Sequence, residues 1–143
     1  MNNKLIVFVL FLIFSNIASA NVTLPNIFSD NMVLQRNSEV TIWGFANPQE
    51  EVVITPSWNK EIYKIKASNQ AKWEVIIPTP KEGGPYTITI KGYNEIVLKN
   101  ILIGEVWICS GQSNMEMNAS WGIENGDEVV KNALNSSIRF FLV

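Results

Sequence analysis

From Asn21 to about Ile103, apolar and polar residues alternate with a period of two. In Thr41-Ile42-Trp43-Gly44-Phe45 the alternation puts Thr41, Trp43 and Phe45 on one face. Tyr63, Ile65 and Ala67 alternate with Lys64 and Lys66, and Trp73, Val75 and Ile77 with Lys72 and Glu74. Tyr86, Ile88 and Ile90 alternate with Thr87, Thr89 and Lys91. Successive strand side chains point to opposite faces, so this pattern predicts half-buried strands. Asn47-Pro48, Asn69-Gln70, Pro78-Thr79-Pro80, Gly83-Gly84-Pro85 and Gly92 read as the turns between them. Short strands punctuated at near-regular spacing predict a small antiparallel β-sandwich over residues 21–103. A chain of that size folds alone with modest stability.

Around Ile101 the pattern changes. Ile101-Leu102-Ile103 and Val106-Trp107-Ile108-Cys109 are continuously apolar, separated by Gly104-Glu105. Such runs predict strand buried on both faces, as in a parallel sheet covered by helices. Ser110-Gly111-Gln112-Ser113-Asn114 follows as a polar turn. Asn125 to Asn135 predicts a helix, with Glu128 three positions after the capping Asn125 and an apolar stripe of Val129, Val130, Ala133 and Leu134. Ile138 to Val143 is again strand-like. Strand, turn, helix and strand form the opening unit of an α/β fold. Residues 104–143 are therefore expected to be the truncated start of a second domain.

The N-terminus alters this picture only by subtraction. Met1 to Ala20 has the parts of a secretory signal peptide: Lys4, an unbroken apolar stretch from Leu5 to Phe14, and Ala18-Ser19-Ala20 as a small-x-small cleavage site. A membrane anchor is the competing reading, but a span takes about 20 apolar residues and this stretch is shorter. The expected mature chain starts near Asn21, is secreted or periplasmic, and has no membrane attachment after cleavage. Without Lys4 the 143-residue sequence keeps ten basic residues against thirteen acidic ones. No basic run offers a footprint for nucleic acid. The lone Cys109 has no internal disulfide partner, and its apolar run predicts burial rather than a reactive thiol.

Ser113 is the candidate nucleophile. A serine on a glycine-containing turn after a buried strand points its hydroxyl to where ligands bind in open α/β folds. Backbone N–H groups of such a turn can stabilise the oxyanion of acyl transfer. Gly111-Gln112-Ser113 alone is a common string, and Met115 stands where a nucleophile elbow has its second glycine. A purely structural turn is the alternative. Trp43, Trp73 and Trp107 read as core aromatics, whereas Trp58 and Trp121 lie in polar surroundings and could face a ligand. Glu105 and Glu116 could pair as carboxylates only if the fold brought them to one cleft. Asn21, Asn118 and Asn135 head glycosylation sequons that matter only in a eukaryotic source.

The longer string Gly104-Glu105-Val106-Trp107-Ile108-Cys109-Ser110-Gly111-Gln112-Ser113-Asn114-Met115-Glu116-Met117 resembles the first block of the sialate O-acetylesterase family, SGNH-type hydrolases that remove acetyl groups from sialic acids. Phe28-Ser29-Asp30-Asn31-Met32-Val33-Leu34-Gln35-Arg36 is similar to that family's opening segment, and Ile42-Trp43-Gly44 and Gly83-Gly84-Pro85-Tyr86 to its next landmarks. The resemblance implies a β-sandwich accessory domain followed by a flavodoxin-like catalytic domain. It implies that Ser113 is the nucleophile and that its backbone N–H is one oxyanion donor, with Gln112 and Asn114 shaping the site. It also implies a general-base histidine with a supporting aspartate, and further oxyanion donors, from segments beyond these residues. The sequence contains no histidine. The resemblance requires no cofactor, and no metal-ligand spacing appears.

The expected function is therefore a serine esterase acting on O-acetylated sialic acid, present as an N-terminal fragment that is inactive alone. Acetylated xylan is an alternative substrate. The rival reading is a non-catalytic β-sandwich that binds carbohydrate or another protein.

Overall fold

The computed structural model describes residues 21–119 and 121–142; the expected signal peptide lies outside the described residues. The fold is mostly sheet. Among the described residues seven strands, β1 (Val33–Gln35), β2 (Glu39–Phe45), β3 (Glu51–Pro56), β4 (Tyr63–Lys66), β5 (Lys72–Pro78), β6 (Gly83–Lys91) and β7 (Glu95–Gly104), are followed by two short helices. These are α1 (Ser113–Glu116) and α2 (Gly126–Asn132). Five strands form one sheet in the order β1-β7-β6-β3-β4, and β2 pairs with β5 in a second.

Both sheets contribute to one core. Ile42, Trp73 and Ile77 come from the smaller sheet, and Val52, Ile54, Ile88, Ile90, Leu98, Ile101 and Ile103 from the larger. Burial of these branched side chains supplies the main driving force for folding. The alternation expected for β4, β5 and β6 holds: Ala67, Trp73, Ile77, Ile88 and Ile90 are buried, while Lys64, Lys66, Lys72 and Glu74 are exposed.

On β2 the buried face is the opposite one. Ile42 is fully buried, whereas Trp43 and Phe45 are 38% and 40% exposed. The N-terminal stretch explains the choice. Thr23 bridges Phe45 with reciprocal backbone bonds of 2.9 Å, so its carbonyl passes directly over Gly44. A Cβ at Gly44 would collide with that carbonyl and with Trp73. Trp43 instead packs edge-to-face against Phe28 and Phe45, at centroid distances of 6.1 and 6.0 Å. Edge-to-face packing is a favourable aromatic geometry that uses ring edges as well as faces.

Gly83-Gly84-Pro85 is not an interstrand turn. It lies at the start of β6, where the register against β7 shifts and the Gly84–Pro85 peptide is cis. Thr79 fills the preceding connection. Its buried hydroxyl accepts the Ser38 N–H at 3.1 Å and lies 2.7 and 2.9 Å from the Gln35 and Ser38 carbonyls.

β1 and β7 run parallel, with Gln35 opposite Gly104. Ile101 to Ile103 is thus the end of β7, bonded to β6 on one side and β1 on the other. Because the two strands share a direction, the chain leaves β7 beside the point where β1 ends.

Candidate functional site

The stretch leaving β7 is secured as soon as it leaves the sheet. The Arg36 N–H donates to the Gly104 carbonyl at 2.9 Å. Gln35 then holds two consecutive residues with one side-chain amide. Its Nε2 donates to Glu105 Oε2 at 3.0 Å, and its Oε1 accepts the Val106 N–H at 2.9 Å. Arg36 donates through Nε to Glu105 Oε1 at 2.6 Å and through Nη1 to Glu82 Oε2 at 2.9 Å.

These contacts shift the carboxyls. Glu105 is held below its ordinary range, first by the Gln35 amide and then by Arg36. Glu82 is lowered by a backbone hydrogen bond and then by Arg36. Arg36 is raised, chiefly by its bond to Glu105. A carboxyl whose pKa is lowered by folding stabilises the fold above its unfolded pKa, and that contribution is lost as pH falls through the lowered value. The junction should therefore be intact at neutral and mildly acidic pH. The Val106 amide resonance is expected to stay unchanged from about pH 7 to pH 5 and to move only below about pH 4, the ordinary carboxylate range. A transition near pH 6 would contradict this electrostatic account.

Beyond Val106 the backbone forms no strand as far as α1. The expected buried strand at Val106–Cys109 is absent: Trp107 and Ile108 are 82% and 94% exposed, and Cys109 is exposed as well. A strand exists through its ladder, and no described residue pairs with this run. The strand expected from Ile138 is likewise not formed among residues 138–142.

Ser113 opens the single turn of α1, exposed, with exposed Gln112 and Asn114 on either side. Gln112 is the extended N-cap residue, and its carbonyl accepts the Met115 N–H at 2.8 Å. Met115 folds back over Gly111, where a Cβ would meet its side chain. A tight turn is therefore formed at Ser113, but it does not follow a buried strand as the sequence led us to expect. The first N–H groups of a helix have no intrahelical acceptor, which leaves the Ser113 N–H able to donate outward. Among the described residues no side chain bonds the Ser113 hydroxyl, and the sequence has no histidine to do so. Two shallow, open concavities lie along α2, lined by residues such as Asn125, Glu128 and Lys131, and Ser113 lines neither.

The helix expected after Asn125 is present as α2 but differs in its cap and its packing. Asn125 is left-handed, with φ of 58°, and makes no side-chain cap bond. Its carbonyl receives the Glu128 N–H instead, at 3.0 Å. Val129, Val130 and Leu134 of the apolar stripe are exposed.

The other candidates separate clearly. Glu105 is committed to Gln35 and Arg36. The Glu116 side chain lies outside the described residues. Trp58 is half-buried against the core: its Nε1 donates to the Pro78 carbonyl at 3.1 Å, and its ring meets Tyr86 edge-to-face. Trp73 is in the core as expected, whereas Trp43 and Trp107 are not, and Trp121 is exposed. Gln35 and Arg36 had appeared only within a family landmark. The signal for their role was a charged and an amide residue ending a short apolar strand, facing Glu105 some seventy residues later.

No family model matches the chain. Among curated proteins it is 34% identical over 127 residues to the sialate O-acetylesterase of Mus musculus, covering 81% of this chain and 24% of that protein. It is 31% identical over 126 residues to the sialate O-acetylesterase of Homo sapiens, covering 80% and 24%. Among solved structures it resembles a carbohydrate acetylesterase from Xanthomonas citri, with a TM-score of 0.74 and 29% identity over 80% of this chain and 26% of that one. The chain thus spans about a quarter of the length of these relatives. Their names agree with the resemblance carried by the Gly104–Met117 and Phe28–Arg36 strings, and the chain belongs to the sialate O-acetylesterase-like family.

Proposed function

We propose that these residues are the nucleophile-bearing part of an exported carbohydrate esterase that removes O-acetyl groups from sialic acids. In this reading the two sheets of residues 21–103 form an accessory β-sandwich. Residues 104–143 begin an SGNH-type hydrolase domain, and residues 1–20 direct export. One observation carries the proposal: Ser113 stands exposed on the first turn of α1, inside the string that resembles the family's nucleophile block.

The chemistry is two-step acyl transfer. Ser113 Oγ attacks the acetyl carbonyl while an imidazole takes its proton, and the Ser113 N–H donates to the developing oxyanion. The tetrahedral intermediate collapses, the sugar hydroxyl leaves with the proton returned by the imidazole, and water releases acetate from the acyl-enzyme. Within these 143 residues no side chain can serve as that imidazole. A serine without its base is a weak nucleophile at neutral pH.

The purified chain is therefore expected to release acetate from an O-acetylated sialic acid no faster than its Ser113→Ala variant. Release that disappears with Ser113→Ala would show that a base is supplied within the chain, and would overturn this part of the reading. Acetylated plant polysaccharide is a second substrate class, favoured by the more general name of the Xanthomonas citri relative. A sugar-binding module without catalysis is favoured by the missing histidine.

A further inference from the structure

We propose that Gln35 and Arg36 are positioning residues: from the end of β1 they clamp Glu105 and Val106, and so fix the course of the segment that carries Ser113. The inference rests on the reading of Ser113 as the nucleophile, because positioning has a purpose only if something downstream is aimed.

Three observations carry it. The parallel β1–β7 pair brings Gln35 opposite Gly104, so the clamp sits at the first residues outside the sheet. The clamp is redundant in kind, combining a backbone bond from Arg36 to Gly104, an amide fork from Gln35, and a guanidinium shared by Glu105 and Glu82. A guanidinium offers several donors in a fixed plane, so it fixes direction as well as distance. Finally, Gln35 is itself held, since the buried Thr79 hydroxyl lies 2.7 Å from its carbonyl.

A second anchor secures the far end of the same stretch. Arg139 donates through Nη1 to the Met32 carbonyl at 3.3 Å and to the Asn100 carbonyl, and through Nη2 to Asn100 Oδ1 at 3.2 Å. Met32 immediately precedes β1, and Asn100 lies within β7. The segment is therefore tied at Glu105–Val106 and again at Arg139 to the parallel β1–β7 pair and the residue before it. The bracket holds a segment whose own apolar side chains are largely uncovered.

The test uses the full chain and backbone amide NMR. Gln35→Ala and Arg36→Ala should each speed exchange of the Val106 amide by tenfold or more and shift the Ser113 and Asn114 amide resonances. Neither should change exchange of the core amides at Ile54 and Ile88. Lys64→Ala, on the remote strand β4, should move none of these signals. Combining Arg36→Ala with Glu105→Ala should cost less than the sum of the two alone, because both remove the shared Arg36–Glu105 contact. Arg36→Lys should restore Val106 protection only in part, since an ammonium lacks the guanidinium fork.

Unchanged Ser113 and Asn114 resonances in both Gln35→Ala and Arg36→Ala would overturn the proposal. Equal acceleration at Ile54 and Ile88 would also overturn it, by showing general destabilisation. None of these readouts depends on esterase activity, so failure of the clamp and failure of the nucleophile reading are seen separately.

Discussion

Glu50→Ala should lower the stability of the fold by about 3 kcal/mol, more than any surface substitution discussed above. Glu50 is 4% exposed and has no cationic partner among the described residues. Its carboxylate is satisfied by donors from two turns. Oε2 accepts the Asn47 N–H at 2.9 Å and the Asn47 side-chain amide at 3.1 Å, while Oε1 accepts the Tyr93 N–H at 2.7 Å. One buried side chain thus pins the β2–β3 turn to the β6–β7 turn. Removing it leaves part-buried backbone donors without an acceptor, which costs more than the bonds themselves contribute. Gly92 fits this arrangement, since a Cβ there would strike Glu50 Oε1 and Val22.

For a domain of this size the loss corresponds to a melting point lower by roughly 15 °C, read by circular dichroism. Glu50→Gln should lose about half as much, because one oxygen still accepts while the new NH2 group faces a donor. The exposed neighbour Glu51 serves as control, and Glu51→Ala should change stability by less than about 0.5 kcal/mol. Melting of Glu50→Ala at the wild-type temperature would show that the two turns hold without their pin.

Nothing in the local sequence announces this pin. Glu50 follows Asn47-Pro48 in a stretch that reads as a polar turn, and its second partner, Tyr93, is forty-three residues away. Only the topology that stacks the two turns makes the carboxylate buried. The strands of β4, β5 and β6 were legible because one face of each is apolar and the other mainly polar, so period and orientation agree. β2 shows the limit of that logic. Ile42 and Trp43 are both apolar, and alternation alone does not say which faces the core. The crossing of Thr23 over Gly44 decides it, and that contact joins residues more than twenty positions apart.

The apolar run Val106–Cys109 shows a different limit. Its composition suits a buried strand, but burial and strand geometry both need neighbours, and among the described residues its backbone is bonded only at one end, by the Gln35 side chain at Val106. Ser113 stands out in the sequence as a candidate because its neighbours form a long, specific string. The clamp that leads to it does not, because its two halves lie seventy residues apart and meet only through the parallel β1–β7 register.

The central claim is that this chain presents Ser113 as a nucleophile whose base comes from elsewhere. The most direct measurement is acetate release from O-acetylated sialic acid by a chimera in which this chain replaces the matching segment of the mouse relative. The account predicts release by the chimera, and a fall on the order of 10⁴-fold or more in kcat on Ser113→Ala, as when an acyl-transfer enzyme loses its nucleophile. Undiminished release by the Ser113→Ala chimera, or a folded chimera that releases none, would contradict it.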